Sequence, residues 1–184
     1  PVVTAVPGFT VQYSINGGTT WQGTTTFNNL APGNYNVQIR DASYTGCVIV
    51  LNPALSITQP AVLSATITGT NVTCFGGGDG TITISAPSGG YGTYEYSING
   101  GGSWQISGSF TGLTRGLYNI LIRDAAHTGC MVVLNSTYSI TQPALLNANL
   151  AKTDVTCSSA NDGTRTISSP AGGYGTYEYS INGS

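Results

Sequence analysis

Gly89 to Gly100 reads GGYGTYEYSING, and the same twelve residues stand again at Gly172 to Gly183. The offset of 83 residues holds outward from this stretch in both directions, without a gap. Trp21 falls on Trp104, Arg40-Asp41-Ala42 on Arg123-Asp124-Ala125, and Thr45-Gly46-Cys47 on Thr128-Gly129-Cys130. Ser56 to Ala61 (SITQPA) recurs at Ser139 to Ala144, and Val72-Thr73-Cys74 at Val155-Thr156-Cys157. About half of the overlapping positions are identical. A period of 83 exceeds the roughly 20–50 residues of solenoid coils and propeller blades and fits a small β-sandwich domain. Proline cannot donate to a strand ladder, so ITQP reads as a seam. The expected units are residues 1–60 (the C-terminal part of a repeat), 61–143 (a complete repeat) and 144–184 (the N-terminal part of a third). The chain opens on Pro1 and both outer units read as partial, which suggests an internal piece of a longer protein.

Within the complete unit the apolar residues alternate over short runs separated by turn residues, the signature of strands. Leu63, Ala65 and Ile67 form one run, expected to continue past Gly69 to Val72 and Cys74. FGGGDG (Phe75 to Gly80) is a loop, and Ile82, Ile84 and Ala86 share the next inner face. Tyr94, Tyr96 and Ile98 follow, and Asn99-Gly100 marks a tight turn, where positive φ is needed. Trp104 and Ile106 are expected to begin a return strand, and Phe110 and Leu113 to close the core. Tyr118, Ile120 and Ile122 alternate with Asn119, Leu121 and Arg123, and a last strand runs from Cys130 to Leu134 and on toward Ile140. About seven strands and no helical periodicity predict an all-β fold of tandem immunoglobulin-like sandwiches.

Composition narrows function. Five Lys and Arg in 184 residues cannot build the basic stripe that nucleic acid requires. No apolar run reaches the roughly 18 residues of a membrane span. Only 7% of residues are charged, yet eleven Tyr, four Phe and two Trp argue for a folded chain with uncharged polar faces.

Five elements stand in fixed order: VTCFGGGDGTITI (Val72 to Ile84), GGYGTYEYSING (Gly89 to Gly100), GLYNILIRDA (Gly116 to Ala125), TGC (Thr128 to Cys130) and ITQP (Ile140 to Pro143). The chain thereby resembles the SprB-type repeat of cell-surface gliding adhesins of Bacteroidetes. That resemblance implies a very long secreted protein, exported by the type IX system to the cell surface at the outer membrane. Its partners would be neighbouring repeats, extracellular surfaces or polysaccharides, and other surface-filament subunits; its role would be attachment and gliding. The third unit departs from the pattern at Ser158 to Asn161, which replace FGGG, and at Arg165, which replaces Ile82 on an inner face.

A repeat supplies its own test for chemistry, because a site essential to each unit must recur. The only histidine, His127, is replaced by Tyr44 one unit earlier, so no Ser-His-Asp or Cys-His set recurs. The chain is therefore read as no enzyme. Asp79, Asp162, Asp41 and Asp124 do recur; they read as turn caps, with calcium as the sparser alternative. No cofactor is expected. Lys152, the only lysine, is replaced by Gly69 one unit earlier, which excludes a lysine isopeptide bond in every unit. Cys47, Cys74, Cys130 and Cys157 are periodic and suggest disulfides, within a unit (Cys74 with Cys130) or across a junction. Tyr96 and Trp104 read as core, while Tyr91 and Tyr174, in Gly-rich loops, are the candidate contacts for a polysaccharide if the repeat is a carbohydrate-binding module. Asn71, Asn135 and Asn182 lie in N-x-S/T sequons.

Overall fold

A computed structural model of the chain describes residues 10–181. Asn182 and Gly183, the last two residues of the second GGYGTYEYSING, therefore lie outside the described residues, as do the outermost ends of the two partial units. The described residues form eleven strands and no helix. The chain divides into two compact units, Pro1–Pro60 and Ala61–Ser184.

The first unit holds β1 (Val11–Ser14), β2 (Gly33–Asp41) and β3 (Val48–Ile57) in one antiparallel sheet of order β1-β2-β3. The second unit begins with β4 (Ser64–Thr70), β5 (Gly80–Ser88), β6 (Tyr94–Ser97), β7 (Ser109–Leu113), β8 (Gly116–Asp124) and β9 (Met131–Ile140). These make two three-stranded sheets, β4-β5-β7 and β6-β8-β9. A further antiparallel pair follows, β10 (Ala144–Thr153) and β11 (Thr164–Gly173). The bounds of β2 and β8 lie 83 residues apart, as do those of β3 and β9.

The core of the Ala61–Pro143 region lies between its two sheets. Leu63, Val72, Ile82 and Ile84 come from the β4-β5 side, and Tyr96, Ile120, Ile122 and Ile140 from the β6-β8-β9 side; all are at most 5% exposed. Alternation explains why these residues meet: in a strand every second side chain shares a face, and Ile67 faces Ile84 across the β4–β5 ladder while Gly69 faces Ile82. Gly69 is there because a Cβ would run into the Thr81 carbonyl and the Tyr138 hydroxyl.

Several expectations need correction. The intact repeat has six strands, not seven. Trp104 and Ile106 start no strand; they lie in a loop that touches β6 through the Tyr96–Gln105 bridge, and Ile106 is 79% exposed. β4 stops at Thr70, so Val72 reaches the core from the loop and Cys74 does not belong to a strand. Ala86 is exposed because the β4–β5 register shifts between Ser64 and Thr66, and Ala86 itself takes a positive φ of 48°. Leu121 was assigned to the outer face, yet it is only 6% exposed. The loop after β6 folds back over that face: Gly100 N–H donates to the Asn119 carbonyl at 3.0 Å, and the Trp104 ring lies under Arg123 at 4.2 Å. Trp104 is thus half-buried as an outer cover, whereas Tyr96 is in the core as expected.

Candidate functional site

Each candidate turn is locked by its own side chains. Asp79 accepts from the Thr73 backbone N–H at 3.0 Å and from the Thr73 hydroxyl, closing the FGGGDG loop. Asp162 does the same with Thr156, at 3.0 and 2.6 Å. These bonds, the hydroxyl first, hold both carboxyls below the usual carboxylate range. A carboxylate with both oxygens engaged in this way acts as a cap, and among the described residues no three His, Cys, Asp or Glu side chains converge as a metal set.

Asp124 is the second lock. Its side chain is fully buried and accepts from the backbone N–H groups of Tyr91 (2.6 Å), Ala126 (2.9 Å) and His127 (3.0 Å). The Tyr91 bond is the main reason its carboxyl stays charged to a lower pH than usual. Arg123, its neighbour in sequence, points the other way and pairs with Glu95 at 2.7 Å, so the strand pleat separates the two. Asp41 accepts from the Ser43 and Tyr44 N–H groups in the first unit. His127 lies in the same turn as Asp124 and stacks on Tyr91, ring centroids 4.1 Å apart.

The third feature is the joint where β9 passes into β10 through only Thr141, Gln142 and Pro143. Thr141 N–H donates to Asn71 Oδ1 at 2.9 Å and its carbonyl accepts from Val72 N–H at 3.0 Å. Gln142 Oε1 accepts from Gly76 N–H at 3.1 Å. From the far side, the Tyr174 hydroxyl donates to the Val72 carbonyl at 3.3 Å. A shallow cleft remains between Cys74, Phe75, Leu145, Leu146 and Tyr174. The ITQP seam is thus a clamped joint, and sequence reading missed that Asn71, Gln142 and Tyr174 serve it. The signal was present for Gln142, inside a motif that recurs, but absent for Asn71, whose counterpart is Asp154.

Tyr91 and Tyr174 are not brought together. Tyr91 remains 59% exposed with one ring face on His127; Tyr174 is 73% exposed with its hydroxyl engaged at the joint. All four cysteines are exposed free thiols. Cys74 sits near the Gly116–Ile140 end of the intact repeat, because Val72 is bonded to Thr141 and Gly76 to Gln142. Cys130 sits at the Asp124 end, its carbonyl accepting from Asp124 N–H at 3.0 Å. β8, nine residues long, separates these ends by roughly 26 Å at about 3.3 Å per residue. A disulfide needs Cα atoms within about 7 Å, so Cys74 and Cys130 of one repeat do not pair.

Clamped turns, buried strand faces and a short bonded joint define an all-β module. Residues 66–103, from β4 through the turn after β6, match the family described as the SprB repeat. It marks the chain as carrying a surface adhesin-type repeat. No curated protein and no solved structure matches the chain. No helix among the described residues is long and apolar enough to cross a membrane.

Proposed function

We propose that the chain is a structural and adhesive stretch of a very long extracellular surface protein, associated with the outer membrane and serving attachment and gliding. In this reading its immunoglobulin-like sandwiches, repeated every 83 residues, give length and reach, and many weak contacts act together through multivalency. The strand orders β4-β5-β7 and β6-β8-β9 support the immunoglobulin-like assignment, since they follow the A-B-E and C-F-G layers with strand D left out. The observation that carries the stalk reading is the joint: three linking residues with hydrogen bonds from Asn71, Gln142 and Tyr174 leave little freedom between a repeat and the strands that follow it. The recurring polar clusters all serve turns, which supports a non-enzymatic role.

The cysteines fit a staple across junctions. Tyr174 holds the place in its repeat that Tyr91 holds beside the TGC turn, and Tyr174 rests against the Val72–Phe75 segment. A TGC turn placed beside Tyr174 as His127 is beside Tyr91 brings its cysteine to Cys74. Oxidation there joins two thiols and passes two electrons and two protons to a disulfide oxidant of the extracytoplasmic thiol-exchange class.

Small-angle scattering of the chain tests the stalk reading. A narrow distribution of dimensions that broadens in the Gln142→Gly, Tyr174→Phe double variant supports it; an equally broad distribution in both refutes the clamped joint. The carbohydrate-binding alternative rests on the exposed Tyr91 ring. Saturable binding on a glycan array, lost in Tyr91→Ala, would replace the stalk reading with that one.

A further inference from the structure

Most of the chain's few cations are engaged. Arg40 packs over Trp21 and bonds Gln12, Arg123 packs over Trp104 and pairs with Glu95, and Lys152 pairs with Asp154. Arg115, in the turn between β7 and β8, has neither an acid nor a ring against it among the described residues. It lines a cleft of about 510 Å³ together with Leu117, Ser139, Thr141 and Gln142. All of these residues belong to the complete repeat, so no wall of the cleft falls in a partial unit.

The walls are fixed by bonds that leave the cleft's own polar groups over. The Thr114 carbonyl accepts from the Tyr118 hydroxyl at 2.8 Å, which holds the turn beside Arg115. Gly116 and Leu117 are in register with Ile140 and Ser139. The Thr141 backbone is bonded to Asn71 and Val72, and Gln142 Oε1 to Gly76 N–H. The Arg115 guanidinium, the Gln142 amide nitrogen and the Ser139 and Thr141 hydroxyls have no partner among the described residues. No carboxylate lines the cleft, and Leu117, 71% exposed, sets an apolar patch beside these groups.

We propose that this cleft binds a carboxylate-bearing sugar, a uronate unit of an acidic polysaccharide. A guanidinium takes a carboxylate through two parallel N–H donors. Side-chain hydroxyls and an amide nitrogen match the hydroxyls of a sugar ring, and an apolar side chain matches its C–H face. A single cation suits the single charge of a carboxylate, whereas phosphate groups are met by clustered arginines. The first unit carries the same wall, as Ser56, Thr58 and Gln59, but Pro32 and Asn34 stand where Arg115 and Leu117 do. The site therefore belongs to the complete repeat and not to the first unit. One such contact, open to water, is weak, with a dissociation constant on the order of 1 mM. It supplies one of the contacts that the adhesive reading invokes, and the clamped joint stands or falls by a separate measurement.

Amide chemical shifts of the 184-residue chain, titrated with tri-galacturonate at neutral pH, test the proposal. Saturable shifts are expected at Gly116, Leu117, Thr141 and Gln142, and none at Thr58 and Gln59, which have the wall without the cation. Arg115→Gln, at an exposed turn position, is expected to weaken binding at least about tenfold. Arg165→Gln removes an exposed cation on β11 and is expected to leave binding unchanged. The methyl ester of the same trimer, with its carboxylates masked, is expected not to bind. Absence of saturable shifts, equal binding of the methyl ester, equal binding of a hexaglutamate peptide, or an equal loss in Arg165→Gln would each overturn the proposal.

Discussion

Ile82 is the position from which the two-sheet core can be tested most directly. Its side chain is fully buried among Leu63, Val72 and Ile84 on its own side and Tyr96, Ile120, Ile122 and Ile140 opposite. Ile82→Ala removes three buried carbons, a transfer loss of about 2.4 kcal/mol at ~0.8 kcal/mol per group. The cavity left between two sheets collapses incompletely, which brings the expected destabilisation to about 3–4 kcal/mol. That is a large part of the roughly 5–15 kcal/mol that holds a small domain together. The measurement is urea unfolding followed by tryptophan fluorescence in a Trp21→Phe background, where Trp104, seated under Arg123, is the only reporter. The companion change Ile82→Arg imports the residue found at 165 and is expected to unfold this repeat outright, since an unpaired guanidinium gains nothing in that core. A loss below ~1 kcal/mol for Ile82→Ala, outside the range for buried aliphatic truncation, would mean that the two sheets do not share this core, and the argument from burial would fall with it.

Other outcomes follow from the same geometry. Asp124 has a folded-state pKa below its unfolded one, so its contribution is fully present above the unfolded value, about 4, and is lost as pH falls through the folded value. Hydrogen exchange of the Tyr91 amide should therefore stay protected from neutral pH to about 5 after correction for intrinsic rates and weaken below about 4; Asp124→Asn should remove that pH dependence, and protection unchanged to about pH 2 would contradict the lock. Thr73→Val deletes the hydroxyl that Asp79 accepts and should loosen the Phe75–Gly80 loop, read as faster proteolytic nicking there; no change in nicking would show that the loop is held by other means. Native-state alkylation of this chain should label all four cysteines, which are exposed, and a Cys74–Cys130 peptide recovered without reduction would refute the assignment of these residues to opposite ends. Glu95→Gln breaks a partly exposed pair with Arg123 and should cost no more than about 1 kcal/mol by chemical denaturation; a much larger loss would show that the pair anchors the Trp104 loop as a whole.

The strands were legible because their faces are written in period two: Ile82 with Ile84, and Ile120 with Ile122, are visible as alternation in the sequence alone. Register is fixed by the same property, because a slip of one residue would turn each of these side chains to the wrong face. Leu121 and Ala86 broke the pattern for tertiary reasons, one covered by a loop folded over the outer face and the other displaced by a register shift. Trp104 was misplaced because an aromatic residue in alternation reads the same whether it fills a core or caps it.

The candidate sites divide in the same way. Asp79 and Asp162 could be read as caps from a Gly-rich loop alone, since the bonds they accept come from residues six positions away. The joint could not, because Asn71 and Thr141, or Val72 and Tyr174, are separated by 70 and 102 residues. A standard sandwich already sets the Cys74 and Cys130 loops at opposite ends, too far apart to pair, and the length of β8 gives that separation its size. What the chain by itself determined is local and periodic: the repeat, the strand faces and the turns, set by side-chain alternation and backbone freedom at glycine. What only the tertiary structure decided is which ends of the strands lie together, because that depends on how two sheets stack and where the chain crosses between them.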